Sequence, residues 1–485
     1  MRRAVTVIVA VAIMLTLGLV RPASAPAASS VTFHVYDSAG KRITWSAFRA
    51  LQENGNGTNG DNDMLLDPAT LTVVKAWPLY SSAGTGGDPT FTWPGRPVTL
   101  SLAWPTSDGY SNLLVDVSAP GVYNFGLLAA DQTVAALDKA VSTRPAYKPS
   151  SAFSTASNAA HTKLSAAHSA AGEAAQGAQA AGALDQAVHA YTLLLSEYGV
   201  QYAAANRATF HPTFGVTFDD ISGGSSDLAT VHDLVGGSTT DGWVRIVFDR
   251  SEPPSYYRNE VDTAHALGLH VVGQILDSSE MSGQTLSAWQ TRVSKYVTAL
   301  PTVDEWEIGN EVNGSWLGSN VAAKIAYAAQ YVKAHTKART LVTLYWQLGE
   351  DDAAHSMFTW LKANLSASTM GNIDDLGMSV YVEDHPMGVA FDRVVSTLHN
   401  AAPQQRVMIT ELDYWSPDLG HTWWWGSATD PTGAGRLDVA SLYQSAMLGY
   451  SYSGGGAYWW YYLEEALPQN QLWSTLAAIH SQAAG

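Results

Sequence analysis

At 485 residues the chain is long for a single domain, so two or three structural units are expected. Its hydrophobic content of 46% is ample for a large core, and its charged content of only 14% is typical of a secreted protein. A net charge of −17 argues against nucleic acid or an anionic membrane as partner, and the lack of cysteine excludes disulfides, thiolate nucleophiles and Cys-ligated zinc.

Residues 1–28 have the pattern of a secretory signal. Arg2 and Arg3 form a basic start, an apolar run extends from Ala4 to Val20, and Ala23-Ser24-Ala25 is a small-residue cleavage site. An uncleaved membrane anchor is the alternative interpretation. No second long apolar run follows, so we expect a secreted, extracellular protein with no membrane association after cleavage.

Residues 29–130 predict a small β-sandwich that serves as an accessory domain. Short β-like runs alternate with turn clusters, as in Val31–Tyr36, which is followed by a turn at Asp37–Lys41. Such a domain either binds carbohydrate or supports the domain after it. Residues 131–207 are rich in Ala, Ser, Gln and Gly, and predict a helical connector whose Ala-rich part is weakly packed or mobile.

Residues 208–485 alternate between apolar strand-like runs and helix-like segments. Eight such repeats in about 275 residues predict a (β/α)8 barrel. A doubly wound open sheet is the runner-up, but no Gly-rich phosphate loop follows the first strand. The predicted strands are 214–218, 243–248, 270–276, 303–309, 340–345, 376–381, 406–410 and 456–461.

Two glutamates stand at the carboxyl ends of predicted strands four and seven. Glu311 follows the run 303–309, and Glu411 ends the run that starts at Arg406. Because these strand ends form one ring in a barrel, both carboxyl groups are expected to face each other across its mouth. Two facing carboxyl groups, one protonated and one ionised, are what glycoside cleavage requires. Glu307 lies earlier on the same strand and is expected to be too deep for this role.

The surrounding motifs resemble those of a known clan. Trp306-Glu307-Ile308-Gly309-Asn310-Glu311 and Met408-Ile409-Thr410-Glu411-Leu412 are similar to the fourth- and seventh-strand signatures of the retaining (β/α)8 glycoside hydrolases of clan GH-A. The resemblance covers somewhat over half of the chain, the barrel alone. It implies that Glu311 is the acid/base and Glu411 the nucleophile. The two motifs resemble different families of the clan, so the resemblance does not extend to one substrate.

Further positions match the clan's pattern. The resemblance implies that Arg245 on strand two bonds the nucleophile, that Asn310 bonds a sugar 2-hydroxyl, and that Tyr381 at the end of strand six donates to the nucleophile. For Arg245, an ordinary surface Arg is the alternative, but an Arg within an apolar strand needs a partner on physical grounds. For Tyr381, an ordinary core tyrosine is the alternative.

Tryptophans supply candidate sugar platforms. Trp459 and Trp460 on strand eight match a place where the clan has a Trp beneath the sugar, and strand alternation turns only one of them inward. Trp424, within Trp423–Trp425, is predicted to form a platform in the loop after strand seven. Further cleft candidates after strands four to six are Trp316, Trp346 and His385.

The sequence therefore predicts a secreted retaining glycoside hydrolase with a carbohydrate substrate and neither metal nor cofactor. A metal-dependent barrel hydrolase is disfavoured because strand one ends Val216-Thr217-Phe218-Asp219 and lacks His-x-His. An α-amylase type is disfavoured because no Asp follows an Arg on strand four. A non-catalytic carbohydrate-binding or cell-wall protein on a similar barrel is the alternative from another class.

Overall fold

The structure of the protein, a computed structural model, describes residues 29–52, 63–76, 79–80, 87–238, 241–349, 352–414 and 434–485. The predicted signal segment, residues 1–28, lies outside these ranges. None of the helices in the described ranges has the length and apolar character needed to cross a membrane.

Two four-stranded sheets form the N-terminal part of the described chain, as the sandwich prediction requires. The strands are β1 (Ser30–Tyr36), β2 (Arg42–Ile43), β3 (Met64–Leu66), β4 (Val73–Lys75), β5 (Thr90–Thr92), β6 (Val98–Thr106), β7 (Gly109–Val117) and β8 (Gly121–Asn124), with α1 (Trp45–Leu51) between β2 and β3. One sheet has the order β2-β1-β5 with β8 parallel to β1, and the other is antiparallel with the order β4-β3-β6-β7.

The two sheets share one hydrophobic core. Val31, Phe33 and Val35 alternate with half-exposed residues along β1 and point into this core. Leu100 of β6 and Leu113 of β7 meet them from the second sheet. Successive residues of a strand point to opposite faces, so this alternation fixes which side of β1 is buried.

Three helices follow and complete this core: α2 (Phe125–Ser142), α3 (Ser151–Ser169) and α4 (Glu173–Ala205). Ala167 of α3 and Ala180 and Ala183 of α4 are fully buried within it. The expectation that the Ala-rich part is weakly packed was therefore wrong. Small side chains here let backbones approach closely, since a Cβ on Gly177 would lie 2.6 Å from the Tyr36 ring.

The remaining chain forms a closed barrel of eight parallel strands in the order β10-β11-β12-β13-β14-β15-β16-β9, which confirms the predicted fold class. Each predicted strand is present. Their bounds are β9 (Thr213–Phe218), β10 (Gly242–Val247), β11 (His270–Gln274), β12 (Glu305–Gly309), β13 (Arg339–Tyr345), β14 (Asp375–Tyr381), β15 (Arg406–Asp413) and β16 (Ser453–Trp459).

Helices occupy the connections between the strands and follow the last one. They are α5 (Ser225–Leu234), α6 (Pro254–Ala266), α7 (Ser278–Met281), α8 (Leu286–Ala299), α9 (Val321–His335), α10 (Met357–Asn364), α11 (Ala367–Met370), α12 (Phe391–Ala401), α13 (Ala434–Met447), α14 (Tyr462–Glu465) and α15 (Gln471–Ala484). Short 3₁₀ turns lie at Ser315–Leu317, Ala353–His355 and Gly388–Ala390.

Strand β16 begins earlier and ends earlier than the predicted run 456–461. Gly455, Gly456 and Ala457 all have positive φ, which breaks the regular ladder within the strand. A Cβ on Gly456 would lie 2.1 Å from the carbonyl oxygen of Ile409, so only glycine lets β16 approach β15 there. These glycines therefore permit close packing of the two strands.

The barrel interior is layered. Trp243, Val272, Leu341, Met408 and Tyr458 come from five different strands and form one separate apolar cluster, which is only possible inside the barrel. Residues two positions further along a strand share its inward face, one layer closer to the carboxyl ends. The next layer therefore receives polar side chains, and these build the site described below.

The N-terminal sheets brace barrel loops on the side of strands β13 and β14. Val389, after β14, donates its N–H to Ser111 Oγ of β7 at 2.9 Å. Val73 of β4 donates its N–H to Thr359 Oγ1 of α10 at 3.1 Å. Arg393 of α12 donates to Thr99 Oγ1 of β6 at 2.8 Å. The sheets thus support the segments that follow two of the site-bearing strands.

We predict that Gly388→Ala disrupts the packing of the N-terminal sheets against the barrel and destabilises the protein. Gly388 has φ +50, and an added Cβ would lie 2.1 Å from Ser111 Oγ and 2.8 Å from Ser111 Cα. Backbone strain and overlap together should lower the free energy of unfolding by about 2–5 kcal/mol, measured by urea denaturation. Gly371→Ala is the matched control, since Gly371 has φ −64 and ordinary contacts, and should change stability by less than about 1 kcal/mol. Equal stability of the two variants would contradict the close packing.

Candidate active site

A buried guanidinium occupies the centre of the polar layer. Arg245 of β10 follows Trp243 on the inward face and is 0% exposed. It donates to Glu307 Oε2 at 2.7 Å and Oε1 at 3.2 Å, and to Glu411 Oε1 at 2.5 Å. Burial opposes its charge, but the two carboxylates raise the pKa of Arg245 above its usual value. The predicted bond between Arg245 and Glu411 is thus present in the structure.

Glu411 is surrounded by donors. Asn310 Nδ2 lies 2.6 Å from Oε1, which also accepts from Arg245. Tyr381 Oη and Ser379 Oγ each lie 2.9 Å from Oε2. Four donor groups on two oxygens match an ionised carboxylate, which only accepts. The structure brings Arg245 and Tyr381 into contact with Glu411, the partner that the sequence analysis expected for both. Asn310 contacts Glu411 as well, whereas its expected bond to a sugar 2-hydroxyl stays a prediction.

A β-bulge places Glu411 among these donors. Between β14 and β15, Met378 pairs with Ile409 but the next residue, Ser379, pairs with Glu411, which skips Thr410. Bulges re-aim side chains next to functional sites. The skipped residue is what puts the Glu411 carboxylate beside Ser379 within the polar layer.

Glu311 stands just beyond β12 in a strained backbone conformation. The ladder between β12 and β13 shifts register after Glu307, and Glu311 itself has φ +48. A non-glycine residue in this left-handed region costs of order 1–3 kcal/mol, and such strain clusters at functional sites. The turn is closed by Gly314, whose N–H donates to the Glu311 carbonyl at 2.7 Å.

The Glu311 carboxyl group contacts two serine hydroxyls. Ser278 Oγ lies 2.6 Å from Glu311 Oε2, and Ser379 Oγ lies 2.7 Å from Glu311 Oε1. Ser379 also contacts Glu411, so a single hydroxyl touches both carboxyl groups. The structure therefore brings the Glu311 and Glu411 carboxyl groups to opposite sides of one hydroxyl group.

The surroundings of the two glutamates shift their pKa values differently. Burial, and then the charge of Glu411, raise the pKa of Glu311 to about 8. Burial raises the pKa of Glu411 as well, and the Arg245 guanidinium limits that rise without reversing it. Within the described part of the chain the Glu311 carboxyl group contacts serine hydroxyls and no cation, whereas Glu411 has a cation at 2.5 Å. These shifts favour the proton on Glu311, and the four donors around Glu411 favour its ionised form.

Of the two tryptophans predicted on strand eight, Trp460 faces the site. The Arg245 guanidinium carbon lies 5.2 Å from the Trp460 ring centroid, a cation–π arrangement. Trp459 points the other way, is fully buried outside the barrel interior, and donates its Nε1 proton to Glu465 Oε2 at 2.7 Å. Strand alternation explains the difference, and Trp459 is removed from the candidate site. Trp424 and its neighbours lie outside the described residues.

An aromatic row borders the mouth next to Glu311. Trp316 is 41% exposed and contacts Tyr345 edge-on with ring centroids 5.3 Å apart, and Tyr345 meets His385 in the same way at 5.5 Å. Trp316 Nε1 donates to Ser278 Oγ at 3.2 Å. Trp346 is buried instead and donates to the His385 carbonyl at 3.0 Å, so it supports the row from behind.

Sequence reasoning missed the two serines that contact Glu311. Ser379 precedes Tyr381 by two residues on β14, so strand alternation alone places both on the inward face. That signal was available. Ser278 opens the short helix α7 after β11, where no periodicity identifies a side chain that turns toward the mouth.

Glu307 lies deeper and is fully engaged. Besides the two bonds from Arg245, it accepts from Thr343 Oγ1 at 2.6 Å and from Asn310 Nδ2 at 3.3 Å. It is 1% exposed. This placement agrees with the expectation that Glu307 lies too deep to reach a substrate. Within the described ranges, no group of three or more His, Asp or Glu side chains has the arrangement of a metal site.

Comparisons with known proteins give no family for this chain. No family model matches it, and no curated protein does so. Similar solved structures include a GH10 xylanase from Bispora sp. MEY-1, with 15% identity, coverage of 58% of this chain and 99% of that chain, and a TM-score of 0.41. A GH113 β-1,4-mannanase has 11% identity, 56% and 99% coverage, and a TM-score of 0.39. A GH113 β-mannanase from Alicyclobacillus acidocaldarius has 14% identity, 57% and 99% coverage, and a TM-score of 0.39.

We predict that Arg245→Ala is strongly destabilising and that the defect depends on pH. Removing the guanidinium leaves two buried carboxylates without their cation, which costs about 3–5 kcal/mol. The pKa of the Glu411 carboxyl then rises further above that of an unfolded glutamate. A carboxyl group with a raised folded pKa takes up protons on folding, so the defect is smallest near pH 4 and grows as the pH rises.

Urea denaturation at pH 5 and pH 8 measures this effect. Arg258→Ala is the matched control, because Arg258 is exposed and donates to one backbone carbonyl, and it should change the free energy of unfolding by about 0.5 kcal/mol at either pH. A small, pH-independent effect of Arg245→Ala would show that Arg245 does not neutralise the buried carboxylates.

Proposed function

We propose that this chain is a retaining glycoside hydrolase that cleaves β-type, or equivalent equatorial, glycosidic bonds of a poly- or oligosaccharide by double displacement. The observation that carries the proposal is the Ser379 hydroxyl, which contacts both Glu311 and Glu411 at 2.7 and 2.9 Å. Carboxyl groups bridged by one hydroxyl suit the separation of about 5–5.5 Å in retaining enzymes. Inverting enzymes need a gap of about 6.5–9.5 Å to hold a water molecule.

In the first half-reaction Glu411 acts as the nucleophile. Its carboxylate attacks the anomeric carbon while Glu311 gives its proton to the leaving glycosidic oxygen, and the bond between that carbon and oxygen breaks. The product is a glycosyl ester on Glu411. Arg245 and Tyr381 hold the carboxylate in place before the attack, which reduces the reorganisation needed.

In the second half-reaction Glu311, now ionised, takes a proton from water. The water oxygen bonds to the anomeric carbon, and the electron pair of the ester bond returns to Glu411. The same residue serves as acid and then as base, which is why its pKa must lie near the working pH. A pKa of about 8 for Glu311 fits the acid role in the free enzyme.

Aromatic surfaces on both sides of the carboxyl pair support a sugar ligand. Trp460 lies over the Arg245 side chain at the base of the site, and the exposed Trp316 lies beside Glu311. Flat apolar rings with polar edges suit the faces of sugar rings. Because Glu311 protonates the leaving group, Trp316 lies on the side where that leaving sugar binds.

We also propose that the protein acts outside the cell. The support is the basic start, apolar run and small-residue cleavage site in residues 1–28. A polysaccharide that does not enter cells can be cleaved only by an enzyme outside the cell.

We predict that kcat/KM for an aryl glycoside with a poor leaving group falls as the pH rises above the Glu311 pKa of about 8, because Glu311 must be protonated to act as the acid. The Glu311→Gln variant should lose about 10²–10⁴-fold in kcat/KM on this substrate. With a dinitrophenyl glycoside, which leaves without a proton, Glu311→Gln should retain kcat/KM and show no alkaline limb. If the alkaline limb persists in Glu311→Gln, the group that titrates in this limb is not Glu311.

Azide separates the two glutamate roles. Glu411→Ala should abolish turnover of a dinitrophenyl glycoside, and azide should restore it by direct attack to give a glycosyl azide of inverted configuration. Glu311→Ala should instead accumulate the glycosyl ester, and azide should release it as a glycosyl azide of retained configuration. Product configuration is read by NMR.

Wild-type protein tested against β-linked polysaccharides and aryl glycosides is the reference for these variants. Full activity of Glu411→Ala would overturn the assignment of the nucleophile. If the purified wild-type protein binds a glycan and cleaves none of the panel, the carbohydrate-binding alternative replaces the proposed function.

A further inference from the structure

Ser379 has one hydroxyl proton and two carboxyl neighbours. Its Oγ lies 2.7 Å from Glu311 Oε1 and 2.9 Å from Glu411 Oε2, and the side chain is 0% exposed. A serine hydroxyl donates one hydrogen bond and accepts up to two. It can donate to only one of the two glutamates. The other glutamate must therefore be protonated and donate to the Ser379 oxygen.

The surroundings decide which partner carries that proton. Glu411 Oε2 also accepts from Tyr381, and Oε1 accepts from Arg245 and Asn310, so Glu411 is the carboxylate. Glu311 Oε2 accepts from Ser278, which leaves Oε1 to donate its proton to Ser379 Oγ. The chain of bonds then runs from Glu311 through Ser379 to Glu411, and every polar atom in it is satisfied.

We propose that Ser379 is a positioning residue that reverses its hydrogen bond between the two half-reactions. While Glu311 is the acid, Ser379 accepts from Glu311 and donates to Glu411. Once Glu411 carries the sugar as an ester, its negative charge is gone and Glu311 is the carboxylate. The Ser379 proton then turns to Glu311, because a hydrogen bond to a charged acceptor is the stronger one. This role rests on the proposed function of the site.

The singly protonated pair is the only state in which both Ser379 contacts form with a charged acceptor. When both glutamates are ionised, they compete for one proton, and one contact is lost. When both are protonated, neither acceptor is charged. Ser379 therefore widens the pH range over which one proton is shared. The other ionisable groups that act on the pair stay the same in a Ser379 variant; they are Arg245, Asp277, Glu307 and Tyr381. Asp413 acts on Tyr381 and also stays the same.

The first test is independent of turnover. Carboxyl ¹³C NMR titration of the wild-type protein follows the two glutamates, with signals assigned from Glu311→Gln and Glu411→Gln. In Ser379→Ala the two titration steps should move toward each other by about one pH unit in total, because the shared state loses its bridge. Ser379→Thr, which keeps the hydroxyl, should restore most of the wild-type separation.

Ser356→Ala is the matched control. Ser356 is also fully buried in the barrel domain, and its Oγ has no hydrogen-bond partner among the described residues. Its substitution should leave both titration steps in place. An unchanged separation in Ser379→Ala would overturn the proposal, and so would an equal change in Ser356→Ala. Because alanine removes only one oxygen atom, the comparison of these two variants decides the matter even if the threonine variant fails to fold.

The second test addresses the reversal. With a dinitrophenyl glycoside, hydrolysis of the glycosyl ester limits kcat, and its acidic limb reports Glu311 in that intermediate. Without the Ser379 donor the limb should move to higher pH by about one unit. A merely structural role would lower kcat equally at every pH and would overturn the reversal. If the wild-type protein cleaves no glycoside, the proposed function and the reversal fail together, and the titration still decides whether Ser379 couples the glutamates.

Discussion

The buried guanidinium of Arg245 is the constraint on which the rest of the site depends. A cation taken out of water is tolerated only when carboxylates and hydroxyls satisfy its donors, and Glu307 and Glu411 do so here. Two carboxylates outnumber one guanidinium, so the polar layer keeps excess negative charge. Burial and the negative charge of Glu411 favour the protonated form of the third carboxyl group, Glu311. One arrangement thus accounts for two glutamates with opposite protonation states a single hydroxyl apart.

The fold and the main site residues could be predicted because they obey simple periodicities. Alternation of apolar runs gave all eight barrel strands, and the parallel arrangement placed Glu311 and Glu411 at the same edge although 100 positions separate them. The choice between Trp459 and Trp460 was not available from sequence. It depends on the local break in β16, where positive φ values at three successive residues reset which side chain turns inward.

The packing of the Ala-rich helices could not be predicted either, for a different physical reason. Helical periodicity is read from large apolar residues, whereas the first turns of α4 are buried through Gly177, Ala180 and Ala183, which let the helix approach the sheets closely. Gly177 against Tyr36 shows how close this approach is. The same surface continues into the barrel, where Arg144, just after α2, pairs with Asp392 of α12 at 2.6 Å. Sheets, helices and barrel therefore form one packed unit around the loops that follow β13 and β14.

Bulges explain how a regular barrel presents irregular chemistry. On an unbroken strand, inward side chains recur every second residue, which would place Thr410 rather than Glu411 beside Ser379. The register shift in β15 exchanges them, and the shift in β12 with the left-handed backbone at Glu311 lifts that carboxyl group toward the mouth. Such strain persists only where the surrounding contacts over-determine it. Here the hydrogen bonds from Ser278 and Ser379, the closing turn at Gly314 and the fixed carboxylate of Glu411 provide those contacts, so the conformation that strains the backbone is also the one that pairs the two glutamates.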